Sequence, residues 1–176
     1  KTFYKITNNS SKYIQNCFNE ALKLIKIHKI KKLINGPISK KHFLNKKFLG
    51  ITEYIAKKSG KKGLEVMLIY NNKLSVSPVT THLPLQDVSK NITAKKIIYN
   101  VKAINLFFKN KLKKKAKFAI TGLNPHCETL DKFSEEDKII KPSIFYLKKR
   151  GINVSGPFSA DTFFLRENIN NYNIVL

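Results

Sequence analysis

Residues 116–154, AKFAITGLNPHCETLDKFSEEDKIIKPSIFYLKKRGINV, decide the fold class. The run 116–121 is apolar, of strand length, and stops at Gly122. Ser134 with Asp137 three residues on marks a helix start, and Ile140, Ile144 and Leu147 recur at the spacing of one helical face. Gly151 stands just past the last turn, where a left-handed C-terminal position favours glycine. Residues 152–154 then begin another short strand. Strand, helix and strand in this succession imply an α/β layered sheet with helices packed on it.

The flanks extend the pattern. From Ser10, Ile14, Cys17, Phe18, Ala21, Leu22 and Ile25 form an amphipathic stripe with serines available as the cap. Residues 32–35 read as a strand running into the Gly36-Pro37 turn, and 52–58 as a helix broken by Gly60 and Gly63. Two β-rich runs, 64–70 and 74–79, flank Asn71-Asn72-Lys73 and predict a hairpin, so the sheet is expected to be mixed, not purely parallel. Thr93 caps a long helix with Ile97, Val101, Ile104 and Phe108 on one stripe, and 173–176 opens a last strand. No repeat or linker interrupts residues 1–176, and no internal domain boundary is drawn.

Composition narrows the function classes. At 176 residues and 42% hydrophobic, the chain can bury an ordinary core. No apolar run reaches the roughly 20 residues of a membrane span, and the start lacks the apolar stretch of a secretory signal; a cytoplasmic protein is expected. Cys17 and Cys127 are far apart and outside any CxxC spacing, which suits two reduced thiols. The net charge of +23 is the footprint of a nucleic-acid binder, but Arg150 and Arg166 are the only arginines. The lysines are scattered, and even the densest run, 111–115, suits a solvated helix end. No nucleic-acid partner is therefore expected.

Four stretches follow strand-like pieces and combine small, polar and turn-forming residues: 35–40 (NGPISK), 80–85 (TTHLPL), 121–126 (TGLNPH) and 155–162 (SGPFSADT). In open α/β sheets the ligand crevice lies beyond the carboxyl ends of strands, where such loops meet. His82 and His126 each follow a strand and neighbour a proline, an arrangement suited to two imidazoles fixed around a cation. Spacing alone leaves the other reading open, ordinary loop histidines bonded to backbone. His28 and His42 belong to lysine-rich helical stretches and read as surface residues. No GxGxxG follows a strand, so a Rossmann dinucleotide fingerprint is absent.

Taken together, these loops resemble one family. NGPISK is similar to a GPINK segment, LGITE (49–53) to PGHTE, TTHLPL and GLNPH match outright, and GPFSADT is similar to GPLPADT. Five matches in order across 34–165 point to the 4-hydroxythreonine-4-phosphate dehydrogenases of pyridoxal phosphate biosynthesis. The resemblance implies a fold like that of isopropylmalate and isocitrate dehydrogenases, with an NAD site that is not a Rossmann fingerprint. It implies that His82 and His126 are two of three histidine ligands to a divalent cation, commonly zinc, magnesium or cobalt. The third ligand is expected beyond residue 176, reaching across a homodimer interface with a shared active site, in a complete member nearly twice as long.

The same resemblance implies oxidation of 4-phosphohydroxy-L-threonine by NAD, then decarboxylation to 3-amino-2-oxopropyl phosphate. Thr52 is expected to bind substrate, and Lys40 and Asp161 are candidate catalytic residues, with a solvated lysine and a loop-capping aspartate as their plainer readings. One departure stands out: Ile51 occupies the position of the family's substrate-binding histidine, and isoleucine offers no hydrogen bond. Residues 127–133 also depart from the family's glycine-rich loop. The alternatives are a sibling dehydrogenase for threonate or erythronate 4-phosphate, an inactive fragment, and a basic binding module. No NAD-binding residue is singled out.

Overall fold

The computed structural model describes residues 7–44, 47–128 and 133–176. The chain divides into two compact units, Lys1–Glu65 and Val66–Leu176, where the sequence had suggested no boundary.

In the first unit, α1 (Asn8–Ile27) is capped by Thr7 and not by the serines themselves. The Ser10 N–H donates to Thr7 Oγ1 at 3.3 Å while the Thr7 N–H donates to Ser10 Oγ at 3.0 Å, a reciprocal pair that satisfies two otherwise orphaned donors. Phe18 on its apolar stripe is buried with Leu44 and Tyr54. Phe43, from α2 (Lys40–Phe43), meets Tyr54, from α3 (Ile51–Lys58), edge to face at 5.0 Å. The strand expected at 32–35 is irregular chain, in neither helix nor strand, with Ile34 94% exposed. Among the described residues this unit holds no strand, so that segment has no ladder to join.

The second unit carries a four-stranded sheet. Its strands are β1 (Ser75–Val76), β2 (Phe118–Thr121), β3 (Val154–Phe158) and β4 (Ile174–Val175), in the order β1-β4-β2-β3. Every pairing among them is parallel. The antiparallel component expected from the hairpin shrinks to one bridge, Ile69 with Val76, closed by N–H···O bonds of 2.8 and 3.0 Å. Asn71 makes the turn, its side-chain oxygen accepting from the Lys73 N–H at 2.9 Å.

Alternation along the strands sends successive side chains to opposite faces. Phe118, Ile120, Val154 and Ile174 pack with Val101 and Ile104 of α5 (Ala94–Phe107) and with Ile144 and Leu147 of α6 (Lys141–Lys149). Ala119 and Val175 point the other way, onto Phe163, Phe158 and Tyr172. Thr93 caps α5, accepting from the Lys96 N–H at 3.3 Å, and wider turns over Glu136–Ile140 lead into α6. Two single-turn helices, α4 (Val88–Asn91) and α7 (Arg166–Ile169), complete the unit. Among the described residues no helix is long and apolar enough to cross a membrane.

Between β2 and β3 the register slips. Ala119 pairs with Ser155 but Thr121 with Phe158, so Gly156 and Pro157 together oppose Ile120. Gly156 has φ +130°, and an added Cβ would sit 2.3 Å from the Ile120 carbonyl oxygen. Only glycine fits so close an approach. Two stability predictions follow from this packing, both read by urea unfolding. Phe118→Ala, which empties a fully buried site, should cost about 3–5 kcal/mol, and Gly156→Ala should cost at least about 1–3 kcal/mol through backbone strain.

Candidate functional site

Because the four strands run parallel, their carboxyl ends share one edge of the sheet, and the loops that follow them collect there. His82 lies six residues beyond β1 and His126 five beyond β2. Between those two strands runs β4, and the Leu176 carbonyl accepts from the Thr121 N–H at 2.9 Å while the Val175 carbonyl accepts from the Ser77 N–H at 2.8 Å. The structure therefore brings both predicted histidines to the same sheet edge, and both are exposed.

Their backbones share a further property. His82 has φ +57° and His126 φ +56°, the left-handed region that costs a non-glycine residue roughly 1–2 kcal/mol. Cys127, next to His126, is also left-handed at φ +62°. Outliers of this kind persist only where the surroundings hold them, and they cluster at functional sites.

The surroundings of His126 are well defined. The Gly122 N–H donates to the Phe158 carbonyl at 2.8 Å, the Cys127 N–H to the Asn124 carbonyl at 3.1 Å, and the Glu128 N–H to the Pro125 carbonyl at 3.1 Å. The Leu123 and Asn124 N–H groups both go to a buried carboxylate, Glu136. Burial pushes the Glu136 pKa up, but hydrogen bonds from the Asn124 backbone and side chain and from the Leu123 backbone outweigh it and bring the value to about 2. Glu136 escaped the sequence reading, which took 134–137 only as a helix start. One signal was present: at 136, 140, 144 and 147 it occupies the apolar stripe of its helix, where an unpartnered carboxylate does not belong.

Asp161 follows β3 and places Oδ2 3.4 Å from His126 Nδ1. The Ser159 hydroxyl donates to its other oxygen, and chiefly that bond, against an opposing cost of desolvation and with a lesser pull from nearby His126, holds its carboxyl below the ordinary carboxylate range. The contact leaves His126 Nε2 for another partner. Both cysteines are free thiols. Burial pushes the Cys127 thiol up, with Glu136 acting the same way against a lowering backbone hydrogen bond from Gly122, so Cys127 favours its neutral form.

A cavity of about 580 Å³ is lined by Leu85, Val88 and Ser89, just past His82, and by Leu123, Asn124 and Glu135, around the His126 loop. That is the size of an ordinary small-molecule site. In the other unit, Lys40 is exposed at the first position of α2, and Thr52 is exposed in the first turn of α3. Ile51 is half buried against the Phe18, Leu44 and Tyr54 cluster.

Whether these residues suit a divalent cation turns on their donor chemistry. Two imidazoles, one already braced by a carboxylate at its Nδ1, are the neutral nitrogen donors such ions take, and the brace is the usual outer partner of a metal-binding histidine. Among the described residues, however, no three His, Cys, Asp or Glu side chains converge on one point. The chain fits as the donor of part of a coordination shell.

Comparison with known proteins identifies the family. The family model described as pyridoxal phosphate biosynthetic protein PdxA matches residues 1–176. The 4-hydroxythreonine-4-phosphate dehydrogenase of Sulfurihydrogenibium sp. is 40% identical over 158 residues, covering 88% of this chain and 48% of that protein. Among solved structures, the enzyme of that name from Klebsiella pneumoniae superposes with a TM-score of 0.79 at 22% identity, over 97% of this chain and 53% of that one. The one from Burkholderia phymatum gives 0.76 at 26% identity, over 99% and 54%. The chain thus spans about half the length of the relatives it matches, and its fold is that of the isocitrate and isopropylmalate dehydrogenases. With a match over every residue and a relative at two-fifths identity over most of its length, this chain belongs to the family of the pyridoxal phosphate biosynthetic protein PdxA.

Proposed function

We propose that the chain is the metal-binding portion of a cytoplasmic, homodimeric, NAD-dependent 4-hydroxythreonine-4-phosphate dehydrogenase. The reaction takes the C3 hydrogen of 4-phosphohydroxy-L-threonine as hydride and the hydroxyl hydrogen as a proton. The 3-oxo acid so formed loses carbon dioxide to give 3-amino-2-oxopropyl phosphate. One observation carries the reading: His82 and His126 are both held in left-handed backbone on loops leaving the same edge of one parallel sheet.

His82 and His126 would hold a divalent cation, with zinc, magnesium and cobalt as the candidates. Bound there, the cation supplies Lewis acidity toward the reacting oxygen, and NAD supplies the hydride acceptor. Asp161, with Oδ2 3.4 Å from His126 Nδ1, would orient the imidazole with Nε2 toward the ion. A third ligand is expected from the remainder of a full-length family member, supplied by the partner copy. Thr52 offers its hydroxyl to the substrate, and Lys40 offers an ammonium group suited to a phosphate. The cavity beside the two histidine loops has room for a reactant of this size.

A second reading concerns the substrate alone. Ile51 faces the Phe18 and Tyr54 cluster, so the position brings packing where a polar contact was expected. A sibling acid such as threonate or erythronate 4-phosphate therefore competes as the natural substrate.

Three outcomes are expected in the full-length protein. His82→Ala and His126→Ala should each abolish stoichiometric binding of divalent metal, measured by elemental analysis, together with NADH formation; retention of both would refute the metal reading. Asp161→Asn should weaken metal binding by about 10–100-fold and leave the fold intact by circular dichroism. NADH formation compared across the three phosphate esters should be fastest with phosphohydroxythreonine, and a preference for either sugar acid would move the assignment to the sibling enzyme.

A further inference from the structure

Glu136 is the one fully buried carboxylate of the described chain, 0% exposed, and it lies outside the set of residues assigned to the reaction. Its Oε1 accepts from the Leu123 N–H at 2.7 Å and from the Asn124 N–H at 2.9 Å. Its Oε2 accepts from Asn124 Nδ2 at 2.8 Å and from the Ser134 hydroxyl at 3.2 Å. Among the described residues no lysine or arginine forms an ion pair with it; the nearby Lys141 pairs with Asp137 instead. A buried carboxylate without a cation persists only if donors surround it, and three of the four donors here come from the loop that ends in His126.

An accounting of that loop shows what the carboxylate does. Pro125 has no N–H, and the N–H groups of Gly122, Cys127 and Glu128 close onto carbonyls. The two that remain just ahead of Pro125, those of Leu123 and Asn124, have Glu136 as their acceptor. Room for it comes from Gly122, where an added Cβ would lie 3.0 Å from Glu136 Oε1 and 2.6 Å from Cys127 Sγ. The loop is thus wound around the carboxylate, and the left-handed turn at His126 and Cys127 follows directly.

We infer that Glu136 is a positioning residue, a buried anchor that fixes the loop 122–127 so that His126 is presented to the metal. The inference rests on reading His126 as a ligand. What matters is an acceptor at the right reach, more than negative charge. Glutamine keeps an oxygen for the two backbone N–H groups and gives up the Asn124 amide contact; aspartate keeps the charge but is one methylene too short to reach the loop.

Cobalt(II) titration of the metal-stripped full-length protein, read by calorimetry and by the visible absorption of the bound ion, tests the idea. Glu136→Asp and Glu136→Ala should weaken cobalt binding by about 10–100-fold, and kcat should fall in step while KM for the phosphorylated substrate holds. Glu136→Gln should recover most of the affinity. Wild-type affinity in the aspartate variant, or a glutamine variant weaker than the aspartate one, overturns the inference. If the shorter side chains prevent folding, Ser134→Ala, which removes the hydroxyl's contact to Oε2 and its acceptance from the Asp137 N–H, should weaken cobalt binding several-fold with only a modest fall in melting temperature; no weakening overturns it as well. His126→Ala, run in parallel, separates the two levels. If it binds cobalt like wild type, the ligand reading and the anchor fall together, whereas if it loses the ion while the Glu136 variants do not, the anchor alone falls.

Discussion

The parallel pairing of β4 with β1 on one side and β2 on the other is the constraint on which the second unit depends. It is made of few residues, with Ile174 opposite both Ser75 and Phe118, and Val175 opposite both Val76 and Ala119. All of those except the half-buried Val76 are almost completely buried, so their backbone hydrogen bonds are shielded from water and their side chains fill both cores. Because the pairing is parallel, every strand delivers its following loop to the same edge. Reversing β2 alone relative to β1 would have sent the two histidine loops to opposite ends of the sheet.

Placing the loops is only half of the arrangement, since a histidine on a slack loop cannot hold a ligand geometry. Here the loops adopt backbone conformations that cost energy, and the cost is offset by bonds that have no alternative. Around His126 these are the main-chain closures onto Phe158 and Asn124, and the carboxylate of Glu136 beneath them. Asp161, arriving from the bulged β3, adds a contact to the imidazole itself. The bulge forced by Gly156 therefore serves the site, since it sets where the chain after Phe158 leaves the sheet.

The first unit is built on another principle. An aromatic cluster of Phe18, Phe43, Phe48 and Tyr54, with rings 5.0–5.8 Å apart, ties its three helices together. Ile51 contributes to that cluster, while the next residue, Thr52, is exposed at the helix start. A histidine at 51 would bring a polar ring to an apolar contact, so the isoleucine has a packing rationale independent of the substrate. The high lysine content has its own accommodation: Lys102 and Arg150 lie over Tyr146, and Lys149 over Phe145, covering exposed aromatic rings with their charged ends.

The sequence by itself determined the α/β class, the helices starting at Thr93 and Ser134, and a strand within 116–121, because each rests on local periodicity or capping. It could not establish strand partners. The run 32–35 looked like a strand and has no neighbour to pair with, and the hairpin at 64–79 kept only one bridge, since strand formation is settled by what lies alongside and not by propensity. Glu136 belongs to the same class of outcome. The sequence sets it on the apolar stripe of its helix but names no partner for it, and only the folded chain, by wrapping a loop from more than ten residues away onto it, turns it into a buried acceptor beneath His126.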